Sequence, residues 1–559
     1  MPRFFSARNL YLIFLGSYLA MAFASAFNGA MGSDEEVDYL GLRDQLSFAG
    51  KVLTGKNPSF VDIHDNLEFY GVAGKLPGWI LWFIYGKVNG IGISIDEALN
   101  SFHVNHLREG YFFFSHVSLA LMATGLSLVV LQTAKKLSIP YPFIVAGISL
   151  WIPSLMGQSL INIKDYPFAL FYTCYTFSLI ERQQKIFKSG KAIYSLSKAQ
   201  LISILSGALL ISTKAIFMIP FLITELSVAV SAHLCTAKAH KVGACKNASN
   251  LRPSGMPEPL LSVIAIIISA LILAILFHPA AWLEPVEYLK ANVAAFSHNF
   301  RSHCGLFMGQ CIGPEHPNWS AFAYLLKWLY VKTPIFIVAG LCLLLVSLHR
   351  HSLTENIALL PLILQAFLTP FLAVLKNSSL YTQDRHLLFV YPALLLLACI
   401  GYARILQISS KQVSRAVRCM ASISLVFMLI DCLLLNPFQY LYISEFARPF
   451  VNGSNTIADY QGFGSAEAVQ KALRKGYLPR DNVFVKPINQ FPLNSIVAKL
   501  GFNQGEQAKL SLSYYSTISN VLPSLPEHPD GQDCLHTIEV SRPLLFSQRL
   551  RIGRLYVCE

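Results

Sequence analysis

The run Leu10-Tyr11-Leu12-Ile13-Phe14-Leu15-Gly16-Ser17-Tyr18-Leu19-Ala20-Met21, apolar onward to Met31, decides what kind of molecule this is. It carries no charged side chain over a length that matches the ~20 residues an α-helix needs to cross a bilayer. Arg3 and Arg8 precede it. A cleavable leader is the competing reading, because Ala22-Phe23-Ala24 and Ala24-Ser25-Ala26 are small-residue sites of the kind at which leaders are cut. The run outlasts the roughly 7–15-residue apolar region of a leader, and many like it follow.

Working outward, comparable runs cover 111–133, 141–158, 166–181, 199–213, 215–232, 259–281, 320–347, 356–375, 387–403 and 419–436, which makes eleven with the first. Composition agrees: of 559 residues 54% are hydrophobic and 13% charged, against roughly 25% charged in a soluble domain. The expectation is an α-helical polytopic membrane protein. A net charge of +13 would suggest nucleic acid in a soluble chain; here topology accounts for it, and no nucleic-acid partner is expected. Lys and Arg concentrate in short cytoplasmic loops, which places inside the N-terminus, Lys135-Lys136, Arg182 to Lys191, the 233–258 loop, His349-Arg350 and Arg404 to Arg418. Loops 33–110 and 282–319, residues 376–386 and everything after Pro437 fall outside.

Two stretches bear on the count. Trp79 to Ile95 is apolar but broken by Gly86, Lys87, Asn89, Gly90 and Gly92, and reads as a helix lying in the interface. Were it a span, every later loop would change sides. Ser212-Thr213-Lys214 divides the 199–232 region into two short halves, with Lys214 at a membrane boundary where its stem can snorkel.

Residues 1–437 form the membrane domain, and 438–559 a water-soluble α+β domain of modest size. Asn482-Val483-Phe484-Val485 and Arg554-Leu555-Tyr556-Val557 alternate as strands do, and a helix is expected around Ser465 to Lys475. Of eleven cysteines, Cys304 with Cys311 and Cys534 with Cys558 share outside segments and could pair in an oxidising compartment.

The chemistry candidates all lie outside. Asp34-Glu35-Glu36-Val37-Asp38 abuts the outer end of the first run, where four carboxylates repel one another and anionic headgroups. A carboxylate there can act as general base, or could help hold a divalent metal such as Mg2+, Mn2+ or Zn2+; a solvated helix end is the plain alternative. Asn162-Ile163-Lys164-Asp165-Tyr166-Pro167 is an ordinary turn by composition, yet it sets Lys164 and a second carboxylate, Asp165, at the same face. Tyr381-Thr382-Gln383-Asp384-Arg385-His386 precedes the span at 387–403; Arg385 offers a planar fork for phosphate, His386 a donor or acid, and Lys214 a second positive charge. For Arg385 and Lys214 alone, a boundary anchor near headgroups is an equally ordinary role. His278-Pro279-Ala280-Ala281-Trp282-Leu283-Glu284-Pro285 closes a span, with Trp282 suited to the interfacial belt.

In order and side, the series resembles the polyprenyl-phosphate-dependent GT-C glycosyltransferases, above all the bacterial branch akin to protein O-mannosyltransferases and lipid A aminoarabinose transferases. Asp34-Glu35 looks like that family's first acidic motif and Asn162 to Pro167 like its second. Thr213-Lys214 is similar to its TK element, and Pro279 to Pro285 to its Pro-x-x-Trp-x-Asp-Pro motif with Glu284 in place of Asp. Leu329-Tyr330-Val331-Lys332-Thr333-Pro334, Arg385 to Pro392, Asn436 to Tyr440 and Asp459-Tyr460 resemble later elements.

The resemblance implies a GT-C fold of about 11 transmembrane helices and an inverting transfer of a sugar from a polyprenyl-phosphate donor to a protein, glycan or glycolipid acceptor at the outer face of a bacterial inner membrane, N-terminus inside. It implies Asp34 as general base, with Glu35 assisting and Asp165 in support, the three together being the possible metal ligands. Lys214, Arg385, His386 and Tyr381 would bind the donor phosphate, and Lys164, Trp282 and Glu284 would support the acceptor or sugar. The extra acids leave open whether Glu35 or Glu36 takes a neighbour's role. A multi-pass transporter or flippase is the alternative, since intramembrane Lys and Arg suit one; the two related halves expected of it are not visible.

Overall fold

The computed structural model describes residues 6–27, 33–59, 70–90, 105–189, 197–241, 258–297, 305–307, 310–312, 320–378, 380, 383–451, 459, 462–478, 483–485, 510–515, 534–545 and 549–558. The described residues of the eleven apolar runs are mostly helical. The first is α1 (Ala7–Phe27), and the acidic cluster opens α2 (Ser33–Leu53). Next comes α3 (Leu76–Val88), with Pro in its first turn, where a missing N–H costs nothing. It packs along α4 (Asn105–Lys136).

The 141–158 run is not one helix. It divides into α5 (Pro142–Leu150) and α6 (Pro153–Gln158), because Pro153 cannot donate to the preceding turn and holds Ile152 extended at φ −67°, ψ 120°. There follow α7 (Asp165–Ser189), α8 (Lys198–Thr213), α9 (Met218–Lys241), α10 (Glu258–Leu276) and α11 (Pro285–Ser297). Ser197 and Gln200 close a capping box at the start of α8. Its end comes at Thr213, as the sequence suggests: Lys214 is extended, and a 3-10 turn, Ala215–Phe217, leads into α9.

A small antiparallel pair, β1 (Gly305–Phe307) and β2 (Gln310–Ile312), precedes α12 (Ala321–Lys332) and α13 (Ile335–Ser347). The sequence treats 320–347 as a single span, but α12 and α13 meet at 114° across Thr333 and Pro334, again where proline interrupts the hydrogen-bond ladder. The membrane part closes with α14 (Leu353–Ile357), α15 (Leu360–Leu375), α16 (Val390–Ile408) and α17 (Lys411–Leu434).

Among the described residues four helices are long and apolar enough to cross a membrane by themselves, and five spans result if α12 and α13 count as one. Shorter apolar helices lie beside them. On α10 the residues Leu261, Ile264, Ile268, Ile272 and Leu276 form an exposed stripe at helical spacing. Water would penalise such a stripe; hydrocarbon does not, and a helix satisfies its own backbone there. The chain is therefore a multi-pass membrane protein.

The core centres on α16, buried along most of its length. It crosses α13 closely: a Cβ on Gly401 would come within 2.1 Å of the Gly340 carbonyl oxygen. Small residues permit this approach of two backbones.

Beyond Pro437 lie α18 (Ser465–Arg474), β3 (Val483–Val485), β4 (Leu510–Tyr515), β5 (Cys534–Arg542) and β6 (Leu550–Cys558). The sheet order is β3-β4-β6-β5, parallel between β3 and β4 and antiparallel elsewhere. Cys534 and Cys558 form a disulfide between the facing ends of β5 and β6. Cys304 lies outside the described residues. The core of this α+β part is continuous with that of the helices, through Phe438, Tyr440, Phe463 and Ile552. Its seam is polar and buried: the Asp459 carboxylate accepts from the Tyr440 and Tyr514 hydroxyls and the Gly464 N–H, and Asp431 pairs with Arg448.

Candidate active site

Acidic residues are favoured in the first turn of a helix by its macrodipole, and α2 opens with Asp34, Glu35 and Glu36. The Asp34 carboxylate meets the guanidinium of Arg385, which comes from the 3-10 turn Arg385–Leu387 ahead of α16. Arg385 is buried and Asp34 about one-third exposed, so the pair sits at the mouth of the cluster. Burial works to raise the Asp34 pKa; Arg385 and then Lys164 prevail and hold it at about 2.

Asp165 opens α7. Its N–H is accepted by Asn162 Oδ1 at 2.7 Å, and Asn162 Nδ2 donates to Asp165 Oδ2 at 3.0 Å and Gln158 Oε1 at 2.8 Å, a local side-chain turn that fixes the carboxylate. The partner of that carboxylate is Lys214, delivered by the break between α8 and the turn Ala215–Phe217. His386 Nδ1 lies 3.9 Å away. Burial again opposes the charge on Asp165, and Lys214 with His386 keeps its pKa well below the usual range. Burial, aided by Lys214 and Arg385 against Asp165, brings His386 down to about 4, so its ring is neutral at pH 7.

Lys164 does not join Asp165. It stands over the Tyr70 ring at 4.5 Å and 3.2 Å from Asp38 Oδ1, with Asp38 shared by Lys75 at 3.1 Å. Lys75 arrives on a segment stitched into the site by Gly71 N–H to the Ser212 carbonyl (2.9 Å) and Val72 N–H to the Phe277 carbonyl (3.1 Å). Glu35 turns away from Asp34, one residue on and about 100° round the helix, and lies buried with His116 Nε2 at 2.5 Å from its Oε1.

Asp34, Lys164, Asp165, Lys214, Arg385 and His386, named from the sequence, thus come together from four distant segments. Lys75 and His116 were missed, and Asp38 was noted in the acidic cluster without a role. Asp38 follows Asp34 by one helical turn, so a helix beginning at Ser33 puts both on one face; His116 is a polar residue inside an apolar span, itself a signal. Trp282 donates Nε1–H to the Ile275 carbonyl at 2.9 Å, at the end of α10. Glu284 is exposed and is not a member of the ion-pair chain. Tyr381 lies outside the described residues.

The three carboxylates considered as metal ligands take three different partners: Asp34 has Arg385, Glu35 has His116, and Asp165 has Lys214. Among the described residues no group of three His, Cys, Asp or Glu converges as a metal would require. As placed here, Asp34, Glu35 and Asp165 do not converge on one position. What the cluster offers instead is a partly exposed carboxylate next to clustered fixed cations at one end of the helices, suited to a base beside a bound anion.

No family model matches the chain, and no curated protein matches it. Among solved structures it is similar to the aminoarabinose transferase ArnT of Cupriavidus metallidurans bound to undecaprenyl phosphate, at 11% identity and TM-score 0.43 over 99% of this chain and 98% of that one. It is similar too to the oligosaccharyltransferase of Archaeoglobus fulgidus in its apo form, at 11% identity and TM-score 0.38 over 87% of this chain. The chain spans 64% of the length of that archaeal protein. Both structures are of the GT-C class that the sequence motifs resemble. Neither assigns a role to any residue here.

Proposed function

We propose that this protein is a membrane glycosyltransferase of the GT-C type that moves a sugar from a polyprenyl-phosphate donor to an acceptor at the outer face of the membrane. The observation that carries this reading is the convergence of Asp34, Asp165, Lys214, Arg385 and His386 into one cluster. The cations there match a phosphate, and Asp34 is the most accessible of the paired carboxylates in it. The full reading has eleven spans, the N-terminus inside a bacterial inner membrane, and residues 438–559 outside.

In this mechanism the acceptor nucleophile attacks the anomeric carbon opposite the phosphate. The bond from that carbon to the phosphate oxygen breaks, its electron pair leaves with the lipid phosphate, and configuration inverts. Asp34 takes the acceptor proton. Arg385 and Lys214 stabilise the charge that develops on the leaving phosphate, and His386, neutral and adjacent, donates a hydrogen bond to orient it. A phosphate already leaves well, so no general acid is needed. Before the donor arrives Arg385 holds Asp34 as a weak base; when the phosphate draws Arg385 toward itself, Asp34 loses its strongest cation and gains basicity.

The test is transfer by the purified full chain in vesicles, with polyprenyl-phosphate sugars as donors. Asp34→Asn should lower transfer by at least about a thousandfold, within the range general-base catalysis and its positioning contribute, with the amount of folded protein unchanged. Full activity in the mutant would overturn the assignment of the base.

A further inference from the structure

Arg385 and His386 present their side chains from a turn whose shape depends on a carboxylate outside the ion-pair chain. Asp384 is buried, at 2% exposure. Its Oδ2 accepts from the Ser154 hydroxyl of α6 and from the Tyr391 hydroxyl of α16, each at 2.6 Å. The residue before it, Gln383, has φ +62°, in the left-handed region, and its carbonyl accepts from the Tyr324 hydroxyl of α12 at 3.1 Å. The Asp384 carbonyl accepts from Leu387 N–H at 2.8 Å, closing the turn around Arg385 and His386.

A buried carboxylate needs a reason to remain there. Lys332, at the end of α12, is equally buried and donates to the Tyr440 carbonyl at 2.9 Å. Three helices of the membrane part therefore hold this one turn through side chains. The arrangement exceeds what a loop requires: a turn at a helix start can form from backbone bonds alone.

We propose that Asp384 is a positioning residue for the donor site, its carboxylate clamped by Ser154 and Tyr391 so that Arg385 and His386 face the phosphate. This rests on the reading of Arg385 as a phosphate ligand. Asp384 itself does not touch the donor; it acts through the two residues that follow it.

The experiment uses the full chain in detergent and compares binding of undecaprenyl phosphate with that of undecaprenol, which has the same tail and no phosphate. Wild type should prefer the phosphate, and Arg385→Ala should erase that preference. Ser154→Ala and Tyr391→Phe each remove one hydrogen bond to a charged group with little change in shape, and each should reduce the preference by about tenfold while affinity for undecaprenol stays the same. The double variant should lose less than the sum of the two, since both act through one carboxylate. If Arg385→Ala leaves the preference intact, the phosphate site itself is misassigned. If Arg385→Ala erases it but Ser154→Ala and Tyr391→Phe do not reduce it, Asp384 is structural and the positioning role fails. A fall in affinity for both lipids would also count against it.

Discussion

His386 illustrates how strongly this cluster resets ordinary chemistry. In the unfolded chain its ring takes a proton near pH 6.5, whereas in the folded protein it does so at about 4. Between those values the unfolded state binds the extra proton, so stability is fully present above about pH 6.5 and falls as pH drops toward 4. Thermal unfolding in detergent should follow that course, and His386→Gln should flatten it across the same window. An unchanged pH profile in the variant would mean that the ring titrates normally. Glu35 and Asp34 teach the complementary lesson. They are neighbours in sequence and were expected to act together, Asp34 as base and Glu35 assisting, yet a helix turns Asp34 to Arg385 and Glu35 to His116. Which acid lies where depends on the helix starting at Ser33, a boundary that apolar periodicity does not mark.

At the scale of elements, the segment between α2 and α3 is held by close backbone contact. A Cβ on Gly71 would lie 2.3 Å from the Ser212 carbonyl oxygen and 2.9 Å from His278 Cε1. The first of these is backbone and cannot step aside. Gly71→Ala should cost roughly 1–3 kcal/mol, as overpacking does, and weaken transfer by displacing Lys75. Gly50→Ala, in the exposed part of α2 with nothing within 4 Å of its Cβ, should instead hold or raise stability. Thermal midpoints of the two variants separate these outcomes. The helices were legible because apolar runs of membrane length announce themselves, and so was the break at Lys214. The breaks at Pro153 and Pro334 were present as prolines but not read as such. What sequence did not disclose was the seating of Lys75, since Gly71 and Gly74 reveal their purpose only once Ser212 and Ile163 stand against them.

Along α7, α8 and α16 the residues Asp165, Lys214 and Arg385 stand at one helix end, with Arg182, Lys198 and Arg404 toward the other, which gives a topological prediction. With introduced cysteines in a background keeping only Cys534 and Cys558, Val37 and Glu284 should react with an impermeant thiol reagent from outside. Lys198 and Lys411, exposed at helix starts, should react only after the membrane is opened. Reaction of all four from one side would break the arrangement of spans. The family likeness was legible from the order of short motifs, while the joining of Tyr440 to Asp459 and Tyr514 was not, because such pairing depends on how the terminal sheet folds back.

Leaving the two histidines aside, Asp34, Glu35, Asp38 and Asp165 contribute four negative charges and Lys75, Lys164, Lys214 and Arg385 four positive ones. Among the described side chains of the cluster the two signs therefore balance. Under the proposed function an incoming lipid phosphate would unbalance them, which would limit how tightly the spent carrier is retained once the sugar has gone. Under that same function, turnover would owe as much to release of the carrier as to the base at the mouth of the cluster.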